Sequence, residues 1–136
     1  MINNFVKRLQ SDYPALIFKK GEKFAFKPPK TIILGKEEPF FELLALHEVS
    51  HAILKHRDFN LDVERLKMEN AAWEQAKILA QKYNVQIDED FIQDQLDTYR
   101  NWLHQKSRCP KCGLTRFQDT NGYHCPHCEM FCSQTK

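Results

Sequence analysis

With 136 residues, the chain has room for one compact core of about 100 residues and one small appendage. Twenty basic and 18 acidic residues leave a net charge of +2, which excludes a nucleic-acid binder built on overall charge and leaves only local basic patches open. No apolar run approaches the roughly 18 residues of a membrane span. The polar, mixed-charge segment after Met1 lacks a signal-peptide core, so the sequence reads as soluble and cytoplasmic, with no membrane partner.

Ile2, Phe5, Val6 and Leu9 recur at helical spacing, which predicts a short amphipathic helix stopped by Pro14. Three short runs follow, ALIFKK, KFAFK and TIILG, separated by Gly21-Glu22 and by Pro28-Pro29. They predict a small, mostly antiparallel sheet. Lys19, Lys20, Lys23, Lys27 and Lys30 cluster on it, either as a solvated face and protected edge or as a patch that attracts acidic ligands.

The run PFFELLALHEVSHAILKH predicts one helix, with Pro39 and acidic residues at its start. Residues four apart share a helical face, so His47 and His51 can grip one metal ion. Glu48, one step round the helix, can stand beside that ion without binding it and accept a proton from water. Two histidines and a glutamate in so apolar a helix cost free energy unless something ligates or pairs them. The competing reading is two satisfied core histidines and a surface glutamate. His56 lies five residues beyond His51, which is wrong for sharing that face, and reads as exposed or as a support for a ligand, with metal binding as the lesser alternative. Whether Thr31 to Leu34 supplies a sheet edge that could hold an extended substrate is not readable from the sequence.

A third protein ligand is expected on the next helix, LDVERLKMENAAWEQAKILAQKY. At about 100° per residue, Glu69 falls within the apolar stripe of Leu66, Ala72, Trp73, Ala76, Ala80 and Tyr83, whereas Glu64 and Glu74 point well away from it. A carboxylate on a buried stripe needs a cation, which is either the metal or Arg57 or Arg65.

HEVSH, followed eighteen positions after His51 by Glu69-Asn70-Ala71-Ala72, resembles the gluzincin-type pattern of the ImmA/IrrE-like metallopeptidases, H-E-x-x-H and then E-x-x-A. The resemblance covers roughly residues 30 to 80, and its first half is the more specific. It implies a zincin-like core with His47, His51 and Glu69 as zinc ligands and Glu48 as the base. It also implies an endopeptidase that cleaves a helix-turn-helix repressor encoded beside it, relieving repression in stress responses, mobile elements or phage defence. Trp73 departs from the pattern, standing where related sequences carry Asp or Asn. The group that orients a ligand histidine is therefore expected to come from elsewhere or to be water.

After Tyr83 a turn leads to Asp88, which precedes acidic Glu89 and Asp90 and reads as the N-cap of a further helix. Phe91, Leu96, Tyr99, Trp102 and Leu103 give that helix its packing stripe.

All five cysteines fall in the last 28 residues. Cys109 and Cys112, then twelve residues, then Cys125 and Cys128 give the spacing of a zinc ribbon, in which two knuckles donate four thiolates to one structural ion. Asn121-Gly122 marks the turn between knuckles. Arg108, Lys111, Arg116, Phe117 and Tyr123 are the basic and aromatic groups of a candidate single-stranded DNA surface, set against a ribbon that is purely structural. Cys132 is left over, either incidental or a regulatory thiol that blocks the catalytic zinc.

The expected architecture is α+β: residues 1–105 form a zincin-like metallopeptidase domain of small antiparallel sheet and helices, and residues 106–136 a zinc ribbon. The expected function is a zinc endopeptidase with two zinc ions, a repressor as substrate and single-stranded DNA as an activator. A SprT-like protease of DNA-bound proteins is the alternative enzyme. It requires a third histidine downstream, and none lies between His56 and His104. A non-catalytic DNA- or protein-binding regulator is the third reading, and an intact Glu48 speaks against it.

Overall fold

The computed structural model describes residues 2–36, 39–128 and 130–131. In chain order the elements are α1 (Ile2–Asp12), β1 (Ile17–Lys20), β2 (Ala25–Lys27), β3 (Thr31–Leu34), α2 (Phe41–Ile53), α3 (Asp62–Tyr83), α4 (Glu89–Ser107), β4 (Phe117–Asp119), β5 (Gly122–Cys125) and β6 (Met130–Phe131). The fold is mixed α and β. It divides into two compact units, one of residues 1–57 and 70–88 and the other of residues 58–69 and 89–136. The domain boundary expected between residues 105 and 106 falls inside α4.

In the first unit the strand order is β1-β3-β2. β2 pairs antiparallel with β3, as expected, but β1 runs parallel to β3, so the sheet is mixed. Side-chain character explains the order. β3 is the most apolar of the three runs, with Ile32 and Leu34 buried, and it takes the centre. The lysine-bearing strands take the two edges, where Lys19, Lys20 and Lys27 stand exposed and discourage further pairing. To reverse direction after β1, the chain must pass close over β3. At Gly21 a Cβ would come within 2.5 Å of the Ile33 side chain, so only glycine permits the passage, and its N–H donates to the Leu34 carbonyl.

The helix α2 lies against β2 and β3 and is buried almost all round, from Leu43 through His51, as a helix in the middle of a core must be. Phe5 and Leu9 of α1 and Ala72, Trp73, Ala76, Leu79, Ala80 and Tyr83 of α3 complete this core at helical spacing. Tyr83 closes the end of α3 onto α1: its hydroxyl bonds the Asp12 carboxylate, and its ring meets Phe5 edge-on. Burial first, and then the bond to Asp12, push its phenol well above the ordinary tyrosine range.

In the second unit, α4 begins directly after Asp88, as expected of a residue at the N-cap. It buries Ile92 and Leu96 and leaves Phe91, Tyr99, Trp102 and Leu103 half-buried. Tyr99 and Trp102 face the Arg65 guanidinium at 5.0 and 4.9 Å from their ring centres. The strands β4, β5 and β6 form a small antiparallel sheet in that order.

Candidate metal centres

Two groups of potential ligands are drawn together among the described residues. The first is His47, Glu48 and His51, whose ligand atoms all lie within 4.8 Å of one another. The three residues are only 6–7% exposed. Three ionisable groups buried on one helix are costly without a compensating charge, and two imidazoles with a carboxylate make a donor set that could hold a divalent cation.

Each histidine is fixed by a different neighbour. The Trp73 indole stacks face to face on His47, with ring centres 4.1 Å apart and planes 6° from parallel. Trp73, where the sequence left the orienting group to come from elsewhere or from water, thus fixes the His47 ring by contact over its face. His47 Nδ1 also lies 3.3 Å from a Glu48 carboxylate oxygen, an ion pair only when the histidine is protonated. His51 has Phe26 of β2 stacked at 6.0 Å, nearly parallel. On its other side, His51 Nδ1 is 2.8 Å from His56 Nδ1.

That last contact corrects the reading of one helix through His56. α2 stops at Ile53. Lys55 takes a left-handed conformation at φ 58°, the Lys55 N–H donates to the Ala52 carbonyl, and the His56 N–H donates to the His51 carbonyl. This pair of bonds is a Schellman cap, which reverses the chain and satisfies the last carbonyls of the helix. A residue five positions on, off the face of a continuing helix, is thereby folded back onto His51. No glycine announces this cap, which is why the sequence pattern missed it.

The second group is Cys109, Cys112, Cys125 and Cys128, all free thiols. Sulfur–sulfur distances of 3.9 Å between Cys109 and Cys128 and 3.5 Å between Cys112 and Cys125 bring the two knuckles together. The N–H of Cys112, with that of Lys111, holds the Cys109 thiol down to about 6, and the N–H groups of Cys128 and His127 lower Cys125. Cys128 is pushed up to about 12 by its hydrogen bond with Cys125 and by burial. Cys112, although the Leu114 N–H favours its thiolate, is raised by burial and by bonds to its neighbouring thiols. Two sulfurs thus favour the thiolate and two the thiol, and a cation in their midst would favour all four thiolates, so this group too could hold a metal ion.

Of the residues expected on a nucleic-acid surface, Arg108, Lys111 and Phe117 are exposed, whereas Arg116 and Tyr123 are buried. The Arg116 guanidinium lies over the Tyr123 ring and donates to the Lys106 carbonyl. The Tyr123 hydroxyl donates to Asp62 at 2.6 Å, and the Lys106 ammonium pairs with the same carboxylate at 3.0 Å. The Asp62 N–H donates to the Gln118 side chain at 2.7 Å. Within the second unit Tyr123 therefore fastens the cysteine hairpin to the start of α3, and Arg116 fastens it to the end of α4. The alternation of basic and aromatic residues is the same for either use, which is why the sequence did not separate them.

Glu69 is half-buried on α3, in the segment 58–69 of the second unit. Glu74 is exposed, and Glu64 accepts from the N–H groups of Asn60 and Leu61 at the start of its helix. Cys132 lies outside the described residues. No helix among the described residues is long and apolar enough to cross a membrane. The chain matches no family model, and neither the curated proteins nor the solved structures contain a match to it.

Proposed function

We propose that the chain is a zinc-dependent endopeptidase of the ImmA/IrrE-like kind, with a C-terminal zinc ribbon, and that its substrate is a helix-turn-helix repressor. The observation that carries this reading is the buried trio His47, Glu48 and His51, gathered within 4.8 Å on one helix. His47 and His51 would hold the catalytic zinc, with Glu69 proposed from its helical phase as the third ligand. When bound, zinc supplies Lewis acidity for the scissile carbonyl and lowers the pKa of water. Glu48 accepts the proton of the attacking water and delivers it to the leaving amide nitrogen. Trp73 and Phe26 hold the two imidazole planes while this happens. β2 is an edge strand whose Phe26 lies against His51, and its unpaired side supports the binding of an extended peptide by main-chain hydrogen bonds. Thr31–Leu34 is the central strand and does not serve this purpose.

Zinc in the cysteine group is supported by the spacing of the sulfurs. Four thiolates about 2.3 Å from zinc form a tetrahedron with edges of about 3.8 Å. The 3.5 and 3.9 Å distances bracket that value.

The test is cleavage of the repressor encoded beside this chain, with and without single-stranded DNA, for which Arg108, Lys111, Phe117 and the sheet lysines remain as exposed contacts. Glu48→Gln fills the same volume but cannot accept the proton, so cuts should vanish while fold and bound zinc persist. Cleavage that survives in Glu48→Gln belongs to a contaminant. Failure to cut the repressor under every nucleic-acid condition overturns the proposed substrate.

A further inference from the structure

The cap that ends α2 brings a third histidine to the helical site, and the proposed mechanism does not use it. Two Nδ1 atoms 2.8 Å apart, with ring centres at 5.1 Å and planes at 62°, can share only one proton. If both Nδ1 atoms carried a proton the two N–H groups would collide, and if neither did the two lone pairs would repel. The contact therefore selects complementary tautomers, one ring donating and the other accepting.

We propose that His56 is a positioning residue for His51: its Nδ1 accepts the Nδ1–H of His51, fixing the tautomer and ring orientation that leave His51 Nε2 as the metal-binding atom. The proposal rests on the reading of His47 and His51 as metal ligands. A neutral imidazole that ligates through Nε2 must carry its proton on Nδ1, and an acceptor on that side holds it there and raises the basicity of the ligating nitrogen. Acceptors in this role are usually carboxylates or backbone carbonyls, and here a second imidazole occupies the place. The backbone is built to deliver it. The His56 N–H is bonded to the carbonyl of His51 itself, so the residue whose ring is oriented also anchors the residue that orients it. His47 has the Trp73 ring face instead, so the two histidines are held by separate means.

The first experiment measures zinc affinity at the helical site by chelator competition, in full-length protein whose cysteine site is already filled. His56→Ala should weaken binding by about 10- to 100-fold. His56→Asn, whose Oδ1 can accept the same proton, should recover most of the loss. The ion held by the cysteines should be unchanged in both and reports that the fold is intact. Unchanged affinity in His56→Ala, or no recovery in His56→Asn with the fold intact, overturns the proposal. Cobalt(II) placed in the helical site separates positioning from ligation. At saturating cobalt, His56→Ala should reproduce the wild-type absorption bands, and a changed band pattern would make His56 a ligand and overturn the assignment.

A second measurement does not depend on metal. Long-range proton–nitrogen correlation spectra of protein metal-free at the helical site should show His51 protonated on Nδ1, and His56→Ala should lose that preference. An Nε2–H tautomer in the wild type overturns the proposal. If the wild type binds no metal at the helical site yet shows His51 as the Nδ1–H tautomer, the positioning contact stands and the metalloenzyme reading falls.

Discussion

The two ligand clusters differ in what surrounds them. His47, Glu48 and His51 sit on a helix whose own Leu43, Leu46 and Val49 are buried in one apolar core with Ile32, Ala72 and Trp73. The cysteine group has far less apolar support: among the described residues Cys109 and Cys125, with Cys128 packed against them, form its small core. On the proposed reading, a metal in the first site would serve chemistry and a metal in the second would serve folding. That reading predicts that the helical site can be emptied without loss of structure and that the hairpin cannot.

The largest expected effect tests that contrast. Structural zinc binding contributes apparent free energies of about 10–16 kcal/mol in small zinc domains, more than a hairpin of this size can replace. Cys109→Ser should lose one ion and, with it, the dispersed amide signals of residues 109–128, whereas His51→Ala should lose one ion and keep those signals. Elemental analysis and amide spectra of the two variants check this directly. A hairpin that stays ordered in Cys109→Ser would show that the Asp62 and Arg116 contacts suffice to hold it, and the distinction between the sites would break.

Those contacts give the next effect in size. Asp62 is buried, and its carboxylate takes the Tyr123 hydroxyl and the Lys106 ammonium. Both meet the same Oδ2, so Tyr123→Phe leaves that oxygen the Lys106 ammonium and removes one hydrogen bond to a charged group, at a cost of about 1.5–3 kcal/mol. Equilibrium denaturation should show the loss with zinc bound at both sites. An unchanged stability would mean that Lys106 alone satisfies the carboxylate.

What the sequence made legible follows from which signals are periodic. The helical assignments and the HEVSH face depend on spacing alone, and α3 and α4 lie where the spacing places them, while α2 ends at Ile53, short of the expected His56. Four cysteines in two knuckles are equally plain, and they come together. Three features depend on tertiary detail and were not legible. The parallel β1–β3 pairing arises because the most apolar strand competes for the centre of the sheet, a choice made among strands and not within one. Tyr123 turns inward to Asp62, sixty-one residues earlier, and Arg116 to the Lys106 carbonyl and the Tyr123 ring, partners that no local pattern announces. The approach of His56 to His51 depends on one left-handed residue that is neither Gly nor Asn.

That residue supplies the smallest prediction. α2 and α3 end in the same cap: Asn84, at φ 60°, occupies in α3 the place that Lys55 occupies in α2, with the Val85 N–H donating to the Ala80 carbonyl. Asparagine tolerates the left-handed region, but for lysine the clash of Cβ with the following carbonyl costs roughly 1–2 kcal/mol. Glycine removes the clash and gives back roughly 0.5–1 kcal/mol through the greater freedom of its unfolded chain. Lys55→Gly should therefore stabilise the protein by about 0.5 kcal/mol, and Asn84→Gly should be neutral or slightly destabilising. Thermal unfolding of the two variants, both metal-loaded, reads the difference. The Lys55→Gly protein should also keep the zinc affinity of the wild type, because the cap, and not the lysine side chain, delivers His56. If Lys55→Gly instead lost stability and zinc affinity together, the lysine would be holding the turn through its side chain, and the strain assigned to this cap would be offset by a contact made beyond the backbone.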